Sequence, residues 1–83
     1  SAALVLCVGR DDAEFTRRAQ AIGREPDELR ANGVAGSVDD AVARLTEFAD
    51  IGARRIYLQV LDLTDLDHLQ LVAEQIMPAV TGL

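Results

Sequence analysis

The sequence predicts an α/β fold: three strand-then-helix units around a parallel sheet. Three observations carry that expectation. Apolar runs of strand length recur along the chain. Each is followed by a turn built from glycine or acidic residues. After each turn, apolar residues fall at helical spacing. Strands alternating with helices of this length argue for parallel pairing through right-handed crossovers.

The first unit spans about residues 3–23. Leu4-Val5-Leu6-Cys7-Val8 is a continuous apolar run, the pattern of a strand covered on both faces. Gly9-Arg10-Asp11-Asp12 turns the chain, and Asp11 or Asp12 can cap the next helix by accepting its free N–H groups. That helix is predicted to run to about Ile22 with Phe15, Ala19 and Ile22 on one face. Gly23 ends it. Pro26 then suits the first position of a short helical turn through Leu29, which Asn32-Gly33 stops.

The second unit spans about residues 31–52. A weak, glycine-interrupted strand is expected from Ala31 to Ala35. Ser37 stands three residues before Asp40, the spacing of a capping box. Val38, Ala41, Val42, Leu45, Phe48 and Ala49 form one helical stripe, and Gly52 is its natural C-cap. A faint echo links the Val8–Ala13 and Ala35–Ala41 segments, covering only the turn and the helix start.

The third unit spans about residues 55–80. Arg55 to Leu61 is rich in β-formers, with Tyr57, Gln59 and Leu61 on one face and Ile56, Leu58 and Val60 on the other. Asp62-Leu63-Thr64-Asp65 turns it. Leu66, Leu69, Ala73, Ile76 and Val80 line a last helix whose end Pro78 loosens, and Thr81-Gly82-Leu83 is expected to fray.

Composition narrows the function. The 83 residues allow one domain, 1–83, with a modest core that buries about 60–65% of the unfolded surface. Apolar residues make up 49% of the chain, more than a small core hides, which points to a homo-oligomer or a complementing polypeptide. A net charge of −6 without a basic stripe makes nucleic acid and anionic membranes poor partners. No apolar run approaches the ~20 residues of a membrane span, and no secretory leader is visible. The single cysteine, Cys7, excludes an internal disulfide and fits the cytoplasm.

Candidate chemistry is sparse. Gly36-Ser37 ahead of a helix can offer backbone N–H groups to a phosphate, or Ser37 can simply cap the helix while Gly36 relieves the turn. Arg10 can add a cation from the neighbouring turn or be an ordinary surface arginine. Gln59, near the end of the last strand, can reach a ligand or make a structural hydrogen bond. His68, the only histidine, is expected on the surface of the last helix rather than as a general base. Cys7 reads as an inert buried thiol. No catalytic nucleophile–base set and no metal-ligand spacing can be assembled. The acidic residues at the helix starts complement helix dipoles.

The runs "VGRDDAEFTRRA", "GVAGSVDDAVARLTEFADIGARRIYLQV" and "DLDHLQLVAEQIMPAV" resemble the C-terminal end of luciferase-like monooxygenases, closest to the actinobacterial branch that uses the deazaflavin coenzyme F(420). The resemblance implies a (βα)8 TIM barrel, which takes ~250 residues. The chain then corresponds to the last three βα units, an incomplete barrel. It implies a flavin- or deazaflavin-dependent oxidoreductase, with FMN or coenzyme F(420) carrying the redox chemistry. Most coenzyme-binding positions of the family lie in units this chain does not contain. Gly36, Ser37, Arg10 and Gln59 are the candidate cofactor-binding residues that remain. A chain without the other units is not expected to catalyse the reaction alone. The alternative expectation is a non-catalytic fragment that acts as a self-associating βα module.

Overall fold

The computed structural model describes residues 2–52 and 56–81. Strand β1 (Ala2–Gly9) leads into helix α1 (Asp12–Ala21) and helix α2 (Pro26–Asn32). Strand β2 (Val34–Ser37) leads directly into helix α3 (Val38–Asp50). Strand β3 (Ile56–Gln59) is followed by helix α4 (Leu66–Leu71), a π-helical turn (Val72–Ile76) and helix α5 (Met77–Val80). The fold is α/β, with a parallel, open, three-stranded sheet. No helix among the described residues is long and apolar enough to cross a membrane.

The strand order is β2-β1-β3, so the first strand is central. Consecutive strands of a barrel are neighbours; here β3 takes the free edge of β1 instead of pairing with β2. The crossover from β1 to β2 and the crossover from β2 back past β1 run in opposite directions. Right-handed crossovers of opposite direction place their helices on opposite faces of the sheet.

The core is accordingly split in two. Side chains alternate along a strand, so Leu6 and Val8 point to one face and Cys7 to the other. Leu6, Val8 and Val34 pack with Ala41 and Leu45 of α3, Leu71 of α4 and Ile76. Cys7 and Ala35 pack with Phe15 and Ala19 of α1 and Leu29 of α2. A strand covered on both faces has no reason to alternate polar with apolar residues. That accounts for the unbroken apolar run from Leu4 to Val8. Burying Phe15 completely contributes about 1.5–3 kcal/mol of transfer free energy.

The helices begin where expected. Asp11 caps α1, its carboxylate accepting from the Glu14 amide at 2.8 Å. Ser37 caps α3 through the expected capping box. Gly23 and Gly52 take the left-handed φ values of +70° and +81° that close α1 and α3. Gly9 permits the tight β1–α1 turn, where a Cβ would lie 2.3 Å from the Phe15 nitrogen.

Three boundaries move. The turn expected from Pro26 to Leu29 continues to Asn32, with Leu29 buried, so β2 starts at Val34 rather than Ala31. Ala31 and Asn32 are helical because Leu29 anchors that turn in the core. The third strand is shorter than residues 55–61, ending at Gln59, and Arg55 lies outside the described residues. Its alternation holds, with Ile56 and Leu58 half-buried and Tyr57 and Gln59 exposed. The last helix runs unbroken from Leu66 to Val80, as expected, but not as a uniform α-helix: Val72–Ile76 form a π-helical turn. Pro78 has no N–H and its ring crowds the carbonyl four residues back, at Glu74. The wider π-helical turn accommodates that mismatch just upstream. Of the tail expected to fray, residues 82 and 83 lie outside the described residues.

One offset sets up the functional end. β3 pairs only with Ala2–Val5 of β1, whereas β2 pairs with Leu6–Gly9. The carboxyl half of β1 therefore has no strand on its β3 side. The N-terminal part of α4 lies there instead.

Candidate functional site

In open parallel α/β sheets, ligands bind beyond the carboxyl ends of the strands. At that end the β1–α1 turn, the β2–α3 junction and the β3–α4 loop come together. Two features lie there: a cleft beside Ser37 and a charged cluster around Arg18.

The cleft has a volume of about 310 Å³ and is lined by Arg10, Ser37, Val38, Asp39, Leu71 and Gln75. Two of the candidate cofactor-binding residues, Arg10 and Ser37, thus share one cavity. Gly36 adjoins it in the backbone, with φ of +116°, a conformation suited to glycine. A Cβ at that position would sit 2.6 Å from the Asp40 carboxylate. Gln59 is elsewhere. It is level with Val5 in the register, four residues short of Gly9, a separation of about 13 Å along the strand. Gln59 is exposed on the outer strand and does not face the Arg10 and Ser37 cleft.

The groups that would receive an anion are already engaged within the chain. The Ser37 amide donates to Asp40 Oδ2 at 3.1 Å, and Ser37 Oγ accepts from the Asp40 amide at 3.1 Å. Arg10 donates through both terminal nitrogens to Asp67, at 2.9 and 3.1 Å, and its backbone amide donates to Glu14 at 3.0 Å. Asp39 places a further carboxylate on the cleft wall. Negative charge at the start of α3 already complements the helix dipole. The residues present do not fit the phosphate of a flavin or deazaflavin coenzyme in this chain as it stands.

The charged cluster is the more highly organised feature. Arg18, on α1, has a side chain only 11% exposed. Its Nη1 donates to the Val8 carbonyl at 2.9 Å and to Glu14 at 2.6 Å. Nε donates to Asp65 at 3.0 Å and Nη2 to Asp67 at 2.7 Å. Three elements, β1, α1 and α4 with its preceding loop, are tied together by one guanidinium.

His68 completes the cluster and departs from expectation. It is not on the helix surface but 4% exposed. Its Nε2 accepts the Val8 amide at 3.0 Å. A histidine in a helix's first turn reads as surface when the neighbouring strand is assumed to run the full length of the sheet. Because β3 stops short, α4 packs directly on β1 and buries that turn.

The electrostatics follow from this packing. Burial, then the neighbouring Arg18 charge, lowers the His68 pKa below its ordinary value. Hydrogen bonds from Arg10 and then Arg18 hold Asp67 down at about 2. Burial opposes ionisation of Asp65, but the Arg18 hydrogen bond and the His68 amide outweigh it and keep its pKa low. The Arg10 amide and then Arg18 lower that of Glu14. Burial pushes the Cys7 thiol up to about 11, as expected of an inert thiol.

Chemically, the cluster is closed on its His68 side, while Glu14, Arg17, Arg18, Ala21, Asp65 and Asp67 line an open cleft of about 290 Å³ on the other. His68 spends its ring acceptor on the backbone, and the cavity it shares with Cys7, Arg18 and Asp65 holds only about 10 Å³. No substrate fits there. Among the described residues, no group of three or more His, Cys, Asp or Glu residues is placed to hold a metal ion. Sequence reasoning missed the roles of Glu14, Arg18, Asp65 and Asp67. A signal existed in the four-residue ladder Arg10, Glu14, Arg18, which predicts ion pairs along one helix face. Nothing local links that ladder to Asp65 and Asp67, some fifty residues on. No protein-family model, curated protein or solved structure matches the chain.

Proposed function

We propose that the chain is the C-terminal, three-unit segment of a luciferase-like oxidoreductase that uses FMN or the deazaflavin coenzyme F(420), and that it is not a complete enzyme by itself. The sequence runs quoted above support the family. The observation that carries the second half is the engagement of Ser37 by Asp40 and of Arg10 by Asp67. Those groups stand at the carboxyl end of the sheet, where a coenzyme would lie, but are satisfied within the chain. The segment acts as scaffold and as one wall of a site that further βα units complete. Its single cysteine fits the cytoplasm as the compartment.

Closing a (βα)8 barrel requires β3 to leave β1 and pair with β2, because neighbouring barrel strands are consecutive. In the free chain the β1 edge that a preceding strand would occupy is taken by β3. The test is fluorescence titration with FMN and with coenzyme F(420). It is run on the chain alone and on the chain mixed with a polypeptide carrying the five preceding units of a family barrel. Binding only by the mixture is expected. Saturable micromolar binding by the chain alone overturns the incompleteness, and failure of the two polypeptides to associate overturns the family reading.

A second reading, self-association, is favoured by a different observation. Leu63 is 69% and Leu66 72% exposed in the β3–α4 segment, Leu61 and Tyr57 are exposed earlier in the same unit, and one edge of β3 is open. A homodimer that covers this region is expected in sedimentation. A stable monomer at micromolar concentration overturns it.

A further inference from the structure

Val8 is the residue of β1 whose N–H and C=O are both held on the side where no strand pairs. Each is satisfied by a side chain: the amide by His68 Nε2 at 3.0 Å and the carbonyl by Arg18 Nη1 at 2.9 Å. Nε2 accepts only when it carries no proton, so the neutral ring has its proton on Nδ1. A doubly protonated imidazolium has no acceptor. It would set an N–H against the Val8 N–H, beside a guanidinium.

We propose that His68 is a proton-sensitive latch, whose neutral ring fastens α4 to the strandless edge of β1 and whose protonation releases it. The charged groups around the ring support this assignment. Arg18 and Glu14 face it from α1, Cys7 from β1, and Asp62 and Asp65 from the loop before α4. The carboxylates that would welcome a second proton are committed elsewhere. Glu14 and Asp65 bind Arg18, Asp67 on the same helix binds Arg10 and Arg18, and Asp62 accepts from the Thr64 amide and hydroxyl. Asp65 also caps α4 through the His68 amide, independently of the ring. Release therefore frees the Val8 amide from the first turn of α4, while the helix stays intact and tied through Asp65 and Asp67 to Arg18.

The direction in pH follows. The folded state holds the His68 pKa below the ordinary 6.5. The latch is intact above 6.5 and is lost as pH falls through the lower, folded-state value. Within that window the latching constant falls about tenfold per pH unit.

The experiment follows the nitrogen-15-labelled full chain by NMR from pH 7.5 to 5. It reads the His68 ring resonances and the hydrogen exchange of the Val8 amide, corrected for the intrinsic pH dependence of exchange. Val8 protection is expected to fall about tenfold per unit as the ring titrates, while amides of the β1–β2 ladder keep theirs. His68→Gln places a non-titrating amide oxygen near the Nε2 position and is expected to hold Val8 protection to pH 5. Unchanged Val8 protection while the ring titrates overturns the latch. So does a ring that titrates at or above 6.5, or an equal loss in His68→Gln. Should that variant not fold, the comparison of Val8 with ladder amides in the native chain decides alone.

Discussion

Arg18 reaches the Val8 carbonyl at 2.9 Å, so a helix side chain supplies the hydrogen bond that a neighbouring strand would otherwise give. Its other donors go to Glu14, Asp65 and Asp67. Arg18→Met keeps the alkyl stem but leaves that carbonyl and Asp65 without their guanidinium. Breaking a largely buried charge network from one side costs about 2–4 kcal/mol. Urea unfolding is expected to show the loss as a lower midpoint at unchanged slope. Arg18→Lys recovers only part of it, because one ammonium cannot fork to three elements.

Gly36 and Ser37 test whether the β2–α3 junction is structural. Ser37→Ala removes a cap and is expected to cost about 1 kcal/mol. Gly36→Ala forces a side chain into the left-handed region and against Asp40, for about 1–3 kcal/mol. Combining it with Asp40→Ala removes the carboxylate but leaves the residue 40 Cβ 3.0 Å away and the backbone strain in place. Thermal unfolding of the pair is therefore expected to stay below that of Asp40→Ala alone.

Asp67 offers a local reading of the charged cluster. Its carboxyl is held at about 2 by Arg10 and Arg18. A depressed carboxylate contributes its interaction above the ordinary value of 3.8, and loses it as pH falls through 2. Carbonyl-carbon NMR titration is expected to show Asp67 among the lowest-titrating carboxyls. Arg10→Ala should move it upward towards 3.8, and Arg18→Met should do the same.

Cys7 is buried in the α1–α2 face with its thiol pushed up to about 11. Alkylation with iodoacetamide at pH 8 is expected to run at least about a hundredfold slower than for an unfolded control, because both thiolate and access are scarce. Adding denaturant through the unfolding transition should bring the two rates together. Rapid modification of the native chain contradicts the burial.

The sequence by itself determined the units. Apolar runs identified β1 and β3, and the Ser37–Asp40 capping box together with the stripe from Val38 to Ala49 identified α3. Asp11, Gly23 and Gly52 were visible as helix punctuation. These are local signals, written within a turn or two of the residues they govern. The parallel pairing was legible too, because only a crossover connection joins such units. The tertiary structure alone decided which edge β3 would take and how far along β1 it would pair. That choice depends on which strand edges are free, a property of the assembled sheet that no spacing records. From the short β3 follows the rest. It leaves the carboxyl half of β1 without a strand, draws α4 onto that edge, and buries His68. It also brings Asp65 and Asp67 to Arg18 across some fifty residues of chain. Arg10 and Ser37 were recognisable as candidates from their turns. Their mutual cleft and their satisfaction by Asp67 and Asp40 required the fold, because a donor's availability depends on every acceptor packed around it.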